Sequence, residues 1–151
     1  DLKKRTGVID ASLQHVDDVV VNKEGQKAIK LNKLLFQKGS SYINKEIAEE
    51  LDKVVEAINS FPSFNLRIES HSSSRGGNSY NFKLTQSRSD AIKKYLIQKG
   101  VPSRNILYTL GYGEDKLLNH CKNGVSCSAF AHRENERSLI VVLNYKELFS
   151  D

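Results

Sequence analysis

Residues 70–100 read SHSSSRGGNSYNFKLTQSRSDAIKKYLIQKG, and the two halves of this stretch follow different patterns. The stretch is entered from an alternating run, NLRIESH (65–71), in which Leu66, Ile68 and Ser70 interleave with Arg67, Glu69 and His71. A period of two predicts a strand with one buried face. Further on, Leu84, Ala91, Ile92, Tyr95 and Leu96 recur at helical spacing up to Gly100, which predicts a helix capped by Thr85 and stopped by that glycine. Between them lies a polar loop with Gly76 and Gly77, residues that let a backbone turn and approach a ligand closely. The start of the following helix offers free N–H groups and positive potential. Arg88, three residues past Thr85, is then expected in the first helical turn, where it can hold a carboxylate with two donors. The bland alternatives are that Arg88 pairs with Asp90 or lies solvated.

Working outward, IKLNKLLF (29–36) reads as a first strand ended by the QKGSS turn. From the N-cap candidate Asn44, residues Ile47, Leu51, Val54, Val55 and Ile58 predict a helix that stops before Pro62. ILYTLGYG (106–113) and SLIVVLNY (138–145) read as further strands, with a cysteine-bearing loop between them. The order strand, helix, strand, helix, strand, loop, strand predicts an α/β (α+β) sandwich, with two main helices packed on one mixed four-stranded sheet. Val19–Val21 and Lys27–Leu31 also read as short strands, joined at Asn22-Lys23-Glu24-Gly25. The expected organisation is a lead-in over 1–28, a domain over 29–146 and a tail over 147–151.

At 151 residues with 38% hydrophobic and 27% charged content, the chain suits one soluble domain with a real core. It opens on Asp1 and contains no Met, so it reads as a processed chain or an excised fragment, with any signal peptide or lipid anchor upstream. Its longest apolar runs, such as LIVVL (139–143), fall far short of the roughly 20 residues of a membrane span. The net charge of +5 favours polyanionic partners, but 23 Lys and Arg are interspersed with 18 Asp and Glu and no recognition helix appears, which argues against nucleic acid. Catalysis has no support either: Ser72, Ser73 and Ser74 beside His71 lack a G-x-S-x-G elbow, and an adjacent Ser and His at a strand end point to opposite sides. Cys121 and Cys127 lie six apart, which suits neither a redox nor a zinc C-x-x-C. A local disulfide in an oxidising compartment is the better reading; a Cys2His2 site with His120 and His132, or two reduced thiols, are the alternatives.

Residues 71–101 resemble the signature of OmpA-like C-terminal domains, the peptidoglycan-binding modules shared by OmpA, Pal and flagellar MotB. That signature runs approximately H-T-D-x-x-G-x-x-x-Y-N-x-x-L-S-x-x-R-A-x-x-V-x-x-Y-L-x-x-x-G-V. The chain supplies in register His71, Gly76, Tyr80, Asn81, Leu84, Thr85 for Ser, Arg88, Ile92 for Val, Tyr95, Leu96, Gly100 and Val101. The likeness extends to GYGE (111–114), to NERSLIVV (135–142) and back to LNKLLFQKGSSYI, covering about residues 29–145. The HCKNGVSC segment is similar to a two-cysteine variant found in multidomain outer-membrane lipoproteins, including some attached to type IX secretion machinery.

The resemblance implies a non-catalytic, cofactor-free and metal-free module. Its location would be periplasmic, tethered to the outer membrane through upstream sequence. Its partner would be a diaminopimelate-type stem peptide of peptidoglycan, with other envelope proteins as alternative partners. In the family the motif Asp receives the ligand's ammonium and the motif Arg its carboxylate. Here Arg88 keeps the second role, whereas Ser73 stands where the Asp is expected, Ser72 where the Thr is, and Glu136 replaces the first arginine of a pair whose second is Arg137. The expected ligand-holding set is Lys38, Ser72, Ser73, Ser74, Gly76, Gly77, Asn81, Leu84, Arg88 and Arg137, with Ser73 able to accept a hydrogen bond from an ammonium. A scaffold role with weakened wall binding is the alternative function.

Overall fold

A computed structural model describes residues 14–149; the first part of the expected lead-in and the last two residues of the expected tail lie outside it. A single helical turn, α1 (Val16–Val19), leads into a hairpin of β1 (Val20–Lys23) and β2 (Gln26–Ile29). Its two-residue connection, Glu24-Gly25, has positive φ at both positions (51° and 76°), the geometry that matches the twist of paired strands. Then come α2 (Lys45–Ser60), β3 (Leu66–His71), α3 (Asn78–Gln98), a 3-10 turn (Ser103–Asn105), β4 (Ile106–Gly111), α4 (Ala129–Arg133), β5 (Arg137–Val142) and α5 (Tyr145–Phe149).

The α/β fold is as expected, but the sheet has five strands in the order β1-β2-β5-β3-β4. Strands β3 and β4 run parallel around α3, and β5 lies antiparallel between β2 and β3. The hairpin lies mostly before the boundary expected at residue 29, yet it joins this sheet through β2. IKLNKLLF is not a strand: only Ile29 belongs to β2, and the rest is irregular. Asn32 turns aside to bond Glu50 of α2 through both its backbone and side-chain nitrogens, and Leu34 drops into the core. In that segment Leu34, with Leu31 and Phe36 partly buried beside it, packs on the core while Leu35 stays exposed, and there is no ladder to a partner strand.

Helix α2 follows its sequence pattern closely. Asn44 Oδ1 accepts the Ile47 N–H as the N-cap, and Ile47, Leu51, Val54, Ala57 and Ile58 are buried. They meet Leu66 and Ile68 of β3, Ile92 and Leu96 of α3, and Ile140 and Val142 of β5 in one core. Phe149, assigned to the tail, packs edge-on against Phe61 and Phe64. No described helix is long and apolar enough to cross a membrane.

Helix α3 begins at Asn78 with Gly77 as its cap, two turns before the expected start. Thr85 is therefore interior and fully buried, and its hydroxyl bonds the Asn81 carbonyl while accepting the N–H of Gly113. The next residue, Gln86, accepts the Gly111 N–H and donates to the Thr109 carbonyl. Ser89 Oγ lies 2.8 Å from both Ser70 Oγ and the Leu110 carbonyl, and Ser70 Oγ lies 2.7 Å from Ser138 Oγ. Polar side chains thus fasten α3 to β3 and β4, where the sequence alone suggested an apolar stripe. The helix sits so close that a Cβ on Gly111 would come within 2.2 Å of Gln86 N and 2.6 Å of Thr85 C, both backbone atoms.

Two glycine substitutions test this contact. Gly111→Ala must push α3 away and should lower stability by about 1–3 kcal/mol, or about 3–10 °C in Tm. At Gly77 an added Cβ meets nothing within 4 Å, so Gly77→Ala should cost less than about 1 kcal/mol as a weakened cap. Thermal melts of the two variants giving equal losses would contradict the close approach.

Candidate functional site

Because α3 starts at Asn78, Arg88 sits in its third turn rather than its first. Residues Tyr80, Leu84 and Arg88, four apart, present one face of α3 to a cleft of about 620 Å³. Asn81, Thr85 and Ser89, one position further along, are buried on the sheet side. The facing wall is the irregular segment after β2, with Leu34, Leu35, Phe36, Lys38 and Gly39. The end of β3, the start of β5 and α4 close the remaining sides.

Arg88 is 4% exposed, and among the described residues neither Asp90 nor any other acid bonds it. Its Nε donates to the Ser40 carbonyl (2.9 Å) and one terminal nitrogen to the Gln37 carbonyl (3.1 Å), with the Phe36 ring 5.1 Å from the guanidinium carbon. Burial pushes its pKa down from the usual arginine value, the mark of a cation lacking full compensation. Through those two carbonyls Arg88 also holds the facing wall at a fixed distance from α3. Gly39 fits there because a Cβ would crowd the Tyr80 hydroxyl at 3.1 Å, and its φ of 67° is one L residues rarely adopt.

Of the expected ligand-holding residues, Lys38, Ser72, Ser73, Gly76, Asn81, Leu84, Arg88 and Arg137 all line this cleft. Ser74 and Gly77 do not: Ser74 Oγ donates to the Cys121 carbonyl, and Gly77 caps α3. Asn81 is buried, and its amide nitrogen donates to the Ser73 carbonyl, so it braces the serine loop. Arg137 lines the cleft with its donors already engaged. Its guanidinium grips Glu24 at 2.7 and 2.8 Å and also bonds the carbonyls of Asn135 and Lys116. Sequence reading also left out Arg75 and Arg133, which line the cleft with Glu136. No motif marks either arginine, and only the fold brings them to the other cations.

The sheet face away from the helices is buried at the end of β3 as well, contrary to the expected single buried face. Glu69 and His71 are each 2% exposed, bonded to one another at 2.6 Å, with Arg67 on Glu69 and Tyr112 stacked on His71. Burial pushes the Glu69 carboxyl up, but the hydrogen bond from His71 and the Arg67 guanidinium outweigh it and hold it below the ordinary 4.5. Glu24 is held low chiefly by its hydrogen bond to Arg137.

Cys121 and Cys127 form a disulfide, which takes up the thiolates a Cys2His2 site would need. The loop is fastened by Asn135, which accepts the Leu118 N–H and donates to Asn119 Oδ1, an atom that also accepts the Cys121 N–H. The contact of Ser74 with the Cys121 carbonyl ties the serine loop to this disulfide loop.

The OmpA family model matches residues 35–129. A peptidoglycan-associated lipoprotein of Buchnera aphidicola subsp. Baizongia pistaciae is 33% identical over 116 residues, covering 77% of this chain and 64% of that protein. Another from Rhizobium meliloti is 29% identical over 111 residues, covering 74% and 60%. The chain thus spans about three fifths of the length of the curated relatives it matches. Among solved structures, the peptidoglycan-associated lipoprotein from Burkholderia pseudomallei superposes with a TM-score of 0.63 at 20% identity, over 74% of this chain and 89% of that one. The C-terminal domain of Helicobacter pylori MotB gives 0.62 at 18% identity, over 74% and 83%. At these identities the structures attest the fold.

The depressed carboxyls set a pH dependence. Unfolded, both groups titrate near their ordinary value, so on acidification the unfolded chain binds protons first. Their stabilisation is complete above pH about 4.5 and is lost as pH falls through the lower native values. Glu24→Gln strips Arg137 of its carboxylate and should cost about 1–3 kcal/mol at neutral pH. Melting curves from pH 7 to 3 should therefore show a shallower acid decline for Glu24→Gln than for the natural chain; parallel declines would contradict the assignment.

Proposed function

The chain belongs to the OmpA family, and from that premise we propose that it is a non-catalytic peptidoglycan-binding domain that anchors an envelope protein to the cell wall from the periplasm. The single observation that carries this reading is Arg88: a buried guanidinium at a cleft wall which, among the described residues, is bonded only to backbone carbonyls and to no carboxylate. A buried cation left in that state is costly unless an anion completes it, and a stem peptide supplies carboxylates. Lys38 and Arg133 on the same cleft add positive potential, which supports the choice of an anionic ligand. The relatives named as peptidoglycan-associated lipoproteins support the wall as its source. The disulfide agrees with an oxidising compartment.

In this reading the ligand carboxylate docks on Arg88 while Tyr80 and Leu84 give it an apolar floor. Asn81 acts indirectly, holding the Ser73 backbone in place. The disulfide loop supports the same wall through Ser74. Binding involves no bond making, so specificity comes from charge and shape alone.

A second reading, a protein scaffold in an envelope complex such as type IX secretion machinery, is favoured by one observation. Ser73 brings no negative charge to the place where the family's aspartate would meet an ammonium.

Titration calorimetry with a soluble muropeptide, together with pull-down on purified sacculi, separates the two. Arg88→Ala should weaken binding by about ten- to a hundredfold, the loss of a charge-assisted hydrogen bond. Because Arg88 also fixes the facing wall, Arg88→Lys serves as a second variant, keeping the charge while losing the fork. It should bind more weakly than the natural chain and more strongly than alanine. Wall binding that survives Arg88→Ala unchanged would sink the proposed site, and a folded natural chain that ignores sacculi would favour the scaffold.

A further inference from the structure

Apart from Glu136, no acidic side chain lines the cleft among the described residues, whereas Lys38, Arg75, Arg88, Arg133 and Arg137 all do. Glu136 is already engaged, its Oε2 lying 3.0 Å from a terminal nitrogen of Arg75. The same arginine reaches Ser73: its backbone N–H and its Nε approach Ser73 Oγ at 3.3 and 3.4 Å. A hydroxyl has two lone pairs and one proton. With both lone pairs facing donors, Ser73 has only its O–H left to offer, and an O–H serves an acceptor rather than an ammonium. The neighbouring carbonyls are similarly used. Ser73 O takes Ser72 Oγ and Asn81 Nδ2, while Gln37 O and Ser40 O take Arg88.

We propose that the cleft selects carboxylate-bearing peptides whose side-chain amine is acylated, and that Arg75 is the residue that sets this preference. The inference deepens the stem-peptide reading of the cleft and rests on it. A free ammonium brings three donors and a full positive charge. Here it would shed water beside a guanidinium and find no unpaired carboxylate. An amide at that position is neutral, presents one N–H, and offers a carbonyl that can accept from Ser73 Oγ–H or from Arg75. In a wall peptide the amine becomes such an amide when the stem is cross-linked to a neighbour. The domain would therefore hold cross-linked wall better than free stems.

Arg75 is about half exposed on its side chain, which gives the alternative a definite form: Arg75 could swing into solvent and yield Glu136 to the ligand's ammonium. The two arrangements predict opposite preferences. Calorimetry would compare two synthetic peptides ending in diaminopimelate, identical except that one carries an acetyl group on the side-chain amine. The natural chain should bind the acetylated peptide more tightly than the free one, by about two- to fivefold at low salt, with the gap narrowing as ionic strength rises. Arg75→Gln should erase that gap, and the double variant Ser73→Asp with Arg75→Gln should favour the free amine. Circular dichroism melts would establish that both variants are folded. Equal binding of the two peptides, or tighter binding of the free-amine one, by the natural chain would overturn the selectivity while leaving the carboxylate site intact. If the folded natural chain binds neither peptide, the stem-peptide reading falls and the selectivity falls with it.

Discussion

The seating of α3 on β4 is the constraint from which the rest of the molecule follows. Gly111 has no room for a side chain because the backbone of α3 occupies it, and the helix carries Asn81, Thr85, Gln86 and Ser89 where a looser packing would carry larger apolar groups. Each of these meets a partner on the sheet or in the loops around it, so the buried polar groups are satisfied and the helix has one register. That register decides the chemistry. With Asn81 and Thr85 turned to the sheet side, the residues one position before Asn81, Thr85 and Ser89 turn toward the cleft, and these are Tyr80, Leu84 and Arg88. A slip of the helix by one residue would bury the wrong face and carry Arg88 away from the carbonyls of Gln37 and Ser40.

A second constraint is charge. The cleft gathers cations from four separate stretches of chain, and the described structure returns a single lining carboxylate to them. Arg137 is the exception that clarifies the others. Its guanidinium is neutralised by Glu24 at the tip of the β1–β2 hairpin, 113 residues away in sequence, and so it acts as a buttress. Arg88, similarly buried, has no hydrogen-bonded carboxylate among the described residues. Two arginines in one cleft therefore differ: Arg137 is neutralised within the fold, whereas Arg88 braces the facing wall through backbone carbonyls and is the one proposed to receive an anion.

Much of the fold was legible because local patterns and tertiary packing agree. Asn44 and the spacing of Ile47, Leu51 and Val54 define α2, and the hairpin shows in the turn composition around Glu24-Gly25. The start of α3 was not legible. Residues 78–84 carry no buried apolar stripe, because Tyr80 and Phe82 are exposed, Leu84 lines the cleft and the buried residue is Asn81; the apolar stripe begins only where the helix reaches the main core, and Thr85 then resembles a cap. IKLNKLLF misled for the converse reason: Ile29 and Leu34 are buried and Leu31 and Phe36 partly so, yet nothing in a local period tells a strand from an irregular segment beside α2. At the site, motif register located Arg88, Asn81 and the serine loop. It could not show that Arg137 is tied to Glu24, or that Arg75 engages both Ser73 and Glu136. Those depend on contacts between residues far apart in sequence, or on side-chain directions within a loop.

The central claim is that the register of α3 presents Arg88 to the carboxylate of a wall peptide. A crystal structure of the domain soaked with a diaminopimelate-containing stem peptide tests it most directly. The account predicts a ligand carboxylate within hydrogen-bonding distance of an Arg88 terminal nitrogen, with the peptide lying between Tyr80 and the Phe36–Gly39 wall. A peptide bound elsewhere on the surface, with Arg88 still bonded only to Gln37 and Ser40, would contradict it.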